Sequence, residues 1–172
     1  NSAETAALLH YSPSGIYRGG KYSALEGGTR VPFIVYWKGK VAKHTVSDAL
    51  FSQIDLMASF AKMLNIHLPA KEFTDSKDYF NTMIGKSGNG RDYIIEQPEN
   101  SALCIVKDGW KYLSPANGPK LFEAVNIESG ISDEDQLYDL NNDPQELHNL
   151  AKENPAKLAQ LKALLQKTKA AY

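Results

Sequence analysis

The stretch YRGGKYSALEGGTRVPF, Tyr17 to Phe33, sets two glycine pairs and the charges of Arg18, Lys21, Glu26 and Arg30 directly ahead of an apolar run. Glycine permits positive φ and lets backbone approach another group closely, so four of them in so short a span describe a tight, close-packed loop. The run that follows, VPFIVYW from Val31 to Trp37, is apolar at nearly every position. That is the pattern of a strand covered on both faces. A charged, glycine-hinged loop held at the lip of a buried strand is the strongest local constraint in the chain.

Around it the pattern falls into two halves. Leu50, Phe51, Ile54, Met57, Phe60, Ala61 and Leu64 recur at helical spacing and predict an amphipathic helix, with Asp48 or Asp55 as its cap. From Pro69 to Arg91 the chain is polar and rich in glycine, with one helical turn expected around DYFNTMIG. Thereafter DYIIEQ, SALCIVKD and WKYLSP read as short strands, and the Lys107-Asp108-Gly109 step supplies a tight hairpin turn. GPKLFEAV and QLYDL extend the same pattern. Asn154 and Pro155 open a last helix with Leu158, Leu161, Leu164 and Leu165 on one face.

The boundaries expected are residues 1–85 for the first part and 86–172 for a small antiparallel sheet closed by one helix. At 172 residues the chain is one domain or slightly more. Its net charge of −1, from 19 basic and 20 acidic residues, argues against general nucleic-acid binding. The longest apolar runs fall short of a membrane span. The opening, NSAETAALLHYSPSG, reads as the interior of a longer protein.

Several motifs fail on inspection. GIYRGGK matches the first seven positions of a phosphate-binding loop, but Tyr22 stands where Ser or Thr would hold magnesium, and no strand precedes it. DLNNDPQELHNL begins like a calcium loop, yet Pro144 replaces the turn glycine and Leu150 the closing glutamate. Cys104, the single cysteine, lies among apolar neighbours and reads as a buried, inert thiol. His10, His44, His67 and His148 show no ligand spacing.

Four stretches taken in order carry a family resemblance. GGKYSALEGGTRVPFIVYWKGKV, FSQIDLMASFAKML, ALCIVKDGWKYL and LYDLNNDPQELHNLA together resemble the C-terminal part of arylsulfatase-type sulfatases of the alkaline-phosphatase-like superfamily. The resemblance implies an α/β fold: the end of such a core, a strand plus a helix, then an antiparallel subdomain packed by a C-terminal helix. It implies hydrolysis of sulfate esters, of small molecules or glycans, by a nucleophilic formylglycine made from Cys or Ser in a Cys/Ser-x-Pro-x-Arg motif. Cys104 is followed by Ile-Val-Lys-Asp and does not carry that motif.

Residue by residue, Lys21 falls on the family's active-site lysine. A fixed ammonium and a divalent cation together offset the negative charge of a transferring sulfuryl group. Asn1, a score of residues upstream, falls near the family's last metal ligand; its amide oxygen suits calcium or magnesium. His10, Arg18 and Gln97 are the candidates for substrate contact, with Glu96 and Asn100 beside Gln97 on the same loop. Glu26 and Arg30 read as a buried or half-buried clamp below the site, and Trp110 and Tyr112 as packing aromatics.

The resemblance also implies a periplasmic or secreted parent whose N-terminal part completes the site. By itself the fragment is expected to be inactive and to hold no metal. It is expected to self-associate through an unpaired Val31–Trp37 edge, or to belong to a longer nicked chain. Two alternatives stand: a non-catalytic carbohydrate- or anion-binding module, and a fragment of a related phosphodiesterase or phosphonate hydrolase.

Overall fold

The computed structural model describes residues 13–69, 71–98 and 102–171. The described residues form two compact units, one drawn from Asn1–Val31 with Ile95–Tyr172 and the other from Pro32–Ile94.

The first unit is built on a four-stranded sheet with strand order β1-β2-β3-β6. The strands are β1 (Ile94–Glu96), β2 (Cys104–Lys107), β3 (Trp110–Leu113) and β6 (Gln136–Asp139), with β4 (Leu121–Phe122) and β5 (Ile127–Glu128) forming a separate two-stranded ribbon. β2 and β3 are antiparallel and close at the Lys107–Trp110 pair. Asp108 (φ 51°) and Gly109 (φ 75°) both lie in the left-handed region, the geometry of a two-residue hairpin that matches strand twist. β3 pairs antiparallel with β6, Tyr112 opposite Leu137.

The last helix, Pro155–Lys169, packs on β2 and β3. Pro155 takes the first turn, where its missing N–H costs nothing, and Asn154 precedes it without a side-chain cap bond. Leu161 and Leu165 of the helix and Ile105, Leu113 and Leu137 of the sheet are all buried in the core, each side chain contributing about 1.5–3 kcal/mol.

The loop of residues 13–31 belongs to this unit and ends in a single helical turn, α1 (Glu26–Thr29). Its glycines answer to packing. Gly19 sits at φ 79°, and a Cβ on Gly28 would lie 2.3 Å from the Ser23 carbonyl oxygen. The backbone folds back too tightly there for any larger residue.

The second unit contains α2 (Asp55–Met63) and α3 (Phe80–Met83). The helix predicted over this region forms, but it presents the opposite face to its unit. Asp55 and Ser59 are buried, whereas Ile54, Met57, Phe60 and Leu64 are exposed. Asp55 reaches back to accept from the Ser52 N–H at 3.2 Å at the helix start, and it also accepts from the Lys77 N–H at 3.0 Å and pairs with Arg91, whose Nε lies 2.7 Å away. Ser59 accepts from the Tyr79 N–H at 2.9 Å. These buried polar partners decide the helix's orientation within the unit, because an unpaired carboxylate there costs more than an exposed apolar stripe.

Residues 31–37 form no strand. Ile34 is 89% and Tyr36 86% exposed. A strand exists only where a neighbour satisfies its backbone groups, and none of the described residues supplies one. The mixed α/β architecture, antiparallel sheet and closing helix agree with the sequence reading.

Candidate functional site

Lys21 stands on a pedestal. Gly20 and Ser23 to Glu26 are buried while Lys21 and Tyr22 are exposed, so the ammonium is displayed from backbone that packing holds in place. The Ala24 N–H donates to the Ser129 carbonyl at 2.8 Å. Gly20 lies against Ile127 of β5, so close that an added Cβ would be 3.1 Å from it. Tyr22 adopts φ 80°, an uncommon, strained conformation for an aromatic residue that persists only where the surroundings enforce it. Lys21 Nζ lies 4.9 Å from the Tyr22 ring centroid, and Tyr22 meets Phe122 edge-on.

The other expected site residues scatter. Asn1, His10 and Asn100 lie outside the described residues. Arg18 is committed internally: Nε pairs with Glu128, and Nη1 donates to the Glu146 carbonyl at 2.6 Å. Gln97 is exposed, directly after β1. Glu96 does not sit on a rim with it. It is the last residue of β1 and turns its carboxylate inward, 3.2 Å from Lys111 Nζ. Trp110 and Tyr112 pack as expected, Tyr112 buried with its hydroxyl donating to Asp135 at 2.7 Å.

Beneath the loop lies a buried charge cluster of which sequence reasoning found only one pair. Glu26 joins Arg30, as expected, and also accepts from Lys111 Nζ at 2.9 Å. Lys111 is wholly buried and has Glu146 at 3.7 Å as a third carboxylate. Burial works against the Glu26 charge, but Lys111 and Arg30 outweigh it and hold the carboxyl below its ordinary range. Burial likewise disfavours the Lys111 ammonium, and Glu96, Glu146 and Glu26 more than restore it, so its pKa is raised. Glu146 goes the other way: burial pushes it up to about 7 despite the pull of Lys111. Lys111 left one faint signal, a lone cation flanked by aromatics in a short strand.

Neither of the family's reactive groups fits what is described. No cluster of three His, Cys, Asp or Glu side chains suited to a metal occurs among the described residues. Cys104 is buried in β2, its thiol pushed up to about 12 by burial and its Sγ 3.8 Å from the Ala24 carbonyl oxygen. It is part of the packing under the loop. The chemistry available on the described residues is therefore a displayed, rigidly founded ammonium.

A model of the sulfatase family matches residues 9–66. The chain is 46% identical over 162 residues to an N-acetylgalactosamine-6-O-sulfatase of Bacteroides thetaiotaomicron, covering 94% of this chain and 32% of that protein. A solved structure described by its role in glycosaminoglycan metabolism in the same organism superposes with a TM-score of 0.90 at 45% identity, covering 96% of this chain and 34% of the other. A sulfatase from Pseudoalteromonas sp. shares the fold at a TM-score of 0.74 and 21% identity, over 93% of this chain and 33% of that one. The chain thus spans about a third of the length of these three relatives. On the family-model match over residues 9–66, the 46% identity and the shared backbone, the chain belongs to the sulfatase family.

Proposed function

We propose that this chain is the C-terminal part of a sulfatase that hydrolyses sulfate esters on glycans, and that Lys21 is its contribution to the reacting centre. The observation that carries the reading is the match of sequence and backbone to a sulfatase over nearly all of the chain. The relative's name points to 6-sulfated N-acetylgalactosamine as the first substrate to try.

In this reading the Lys21 ammonium faces the sulfuryl oxygens and offsets their negative charge while the ester's sulfur–oxygen bond breaks and its electron pair departs on the leaving oxygen. A preorganised donor in a water-poor site offsets that charge without reorganising. The loop's packing supplies the preorganisation, since the residues on both sides of Lys21 and Tyr22 are buried. When bound, the family's formylglycine and divalent cation supply the nucleophile and further positive charge. Asn1 is our candidate metal ligand. His10 and Gln97 are candidates for sugar hydroxyls. Arg18, tied to Glu128 and Glu146, we assign to holding the loop.

The exposed apolar side chains of residues 31–37 and of α2 fit a chain that docks on the remaining two-thirds of the same protein. Exposed apolar surface on this scale marks an interface. We place the parent in the periplasm or outside the cell, where polymeric glycans reach an enzyme.

The test is sulfate release by the complete, nucleophile-bearing protein from 6-sulfated N-acetylgalactosamine, an aryl sulfate and a matched phosphate ester. Turnover of the sulfated sugar above the phosphate ester supports the reading. Preference for the phosphate ester, or no sulfate release by the folded protein from either sulfate, overturns it.

A further inference from the structure

We propose that Lys111 is a positioning residue for the Lys21 loop, and that the cage of Glu26, Glu96 and Glu146 around it keeps one carboxyl proton, so that the order of the loop responds to pH. The positioning role rests on the reading of Lys21 above; the cage and its proton do not.

The geometry is that of a span with both feet on one residue. Arg18, three positions before Lys21, donates through Nη1 to the Glu146 carbonyl at 2.6 Å. Glu26, five positions after it, donates its backbone N–H to Glu146 Oε2, also at 2.6 Å. Glu146 itself is fully buried, and lies at φ 54°. Lys111 Nζ then ties together three carboxylates from separate parts of the chain: Glu26 at 2.9 Å, Glu96 at 3.2 Å and Glu146 at 3.7 Å. Removing this one ammonium frees the downstream foot of the loop and strands the charges that held it.

The charge count does not close when every group is ionised. Three carboxylates face Lys111, and Arg30 pairs directly with Glu26 from the exposed side and acts on Glu96 only at longer range. The remaining groups packed on the cage are Arg18, whose Nε is paired with Glu128, the Tyr138 hydroxyl, which donates to Gln136 at 2.9 Å, and the Cys104 thiol from β2. None of them adds a free cation. Glu146 Oε1 and Glu96 Oε2 are both buried with no hydrogen-bond partner, and burial raises the Glu96 carboxyl too. A buried carboxylate oxygen in that state is costly, and one retained proton removes the surplus charge. Burial raises Glu146 to about 7, which places the loss of that proton near neutrality. Above it, a third negative charge enters the cage and the loop's downstream foot loosens. Well below it, Glu26 gains a proton and its pair with Lys111 is lost.

Hydrogen exchange on this chain between pH 5 and pH 8, corrected for the intrinsic rate, reads the loop directly through the Ala24, Gly27 and Gly28 amides. Each of these has a backbone acceptor. Expected is a fall in their protection, approaching about tenfold per pH unit, as the pH rises toward 7, levelling off above it, with the β2–β3–β6 amides unchanged. Glu146→Gln, which imitates the protonated carboxyl, is expected to keep the loop protected and abolish the pH dependence. Lys111→Met is expected to expose the loop amides at every pH; should that variant fail to fold, the Glu146→Gln comparison decides. Loop protection independent of pH in the unmodified chain, or the same dependence in Glu146→Gln, overturns the proposal.

In the complete enzyme, Glu146→Gln is expected to extend the alkaline limb of kcat with KM little changed, and an unmoved limb overturns the positioning role. Lys21→Ala lowers turnover without changing loop protection. If it leaves turnover intact while the exchange results hold, the Lys21 reading and the positioning role fail and the pH-responsive cage stands.

Discussion

Lys111 in β3 and Glu26 in α1 stand 85 positions apart in the chain and meet at 2.9 Å, with the Lys111 side chain wholly cut off from solvent. Their contact fastens the loop that displays Lys21 to the sheet that forms the rigid body of its unit. Breaking one half of such a pair leaves a buried charge without its partner. Lys111→Met is therefore expected to cost about 3–5 kcal/mol. The double variant with Glu26→Gln is expected to cost less than the sum of the two singles, with a coupling of about 0.5–3 kcal/mol. Urea unfolding of the four proteins measures both.

The same cluster gives stability a maximum in mildly acidic solution. Glu146 is raised from an ordinary 4.5 to about 7, so the folded chain holds a proton that the unfolded chain has released. Its contribution is complete below 4.5 and is lost as the pH rises through 7. Glu26 is lowered, so its contribution is present above 4.5 and is lost as the pH falls through its folded value. The urea midpoint is expected to drop between pH 5 and pH 7 and to level off above it, and Glu146→Gln to remove most of that drop.

The β2–β3 hairpin depends on Gly109. Its φ of 75° disfavours any side chain, and a Cβ there would fall 2.1 Å from Asn141 Nδ2. Gly109→Ala is expected to destabilise by about 1 kcal/mol or more. Adding Asn141→Ala relieves the clash but not the backbone strain, so thermal unfolding of the double variant is expected to recover only part of the loss.

The uncovered apolar surface of the second unit has a measurable consequence. Ile34, Tyr36, Met57 and Leu64 are half or more exposed. This chain studied alone is expected to self-associate at high concentration in sedimentation, and Ile34→Asp with Met57→Lys to shift it toward monomer. In the complete protein the same two changes are expected to destabilise, since the proposed docking on the rest of the protein would cover those side chains.

Local grammar made some of this legible in the sequence. The Lys-Asp-Gly turn, the Pro155 helix start and the i,i+4 pair of Glu26 and Arg30 each depend on neighbours a few residues away. What escaped depends on distant partners. Lys111 sits in a short strand where alternation assigns an outward face, and only the approach of Glu96 and Glu146 turns that position into a buried ion site. The apolar stripe of α2 marked a face to be buried, yet within its unit Asp55 and Ser59 are buried instead, because Arg91 and the backbone at 77 and 79 pair with them. Val31 to Trp37 carries the composition of a buried strand, but composition supplies no neighbour. For the candidate site, the motif singled out Lys21 and its glycines, whereas the ties of Arg18 to Glu128 and to the Glu146 carbonyl reach across more than a hundred positions of chain.

The most direct test of the account is the rate of sulfate release by the complete protein with Lys21→Ala, in parallel with Lys21→Arg. Removing the displayed ammonium is expected to lower kcat by about a hundredfold or more, with loop exchange and folding unchanged, and Arg is expected to restore only part of it. A rate within a factor of a few of the unmodified enzyme would contradict the claim that this loop exists to hold a positive charge against the ester.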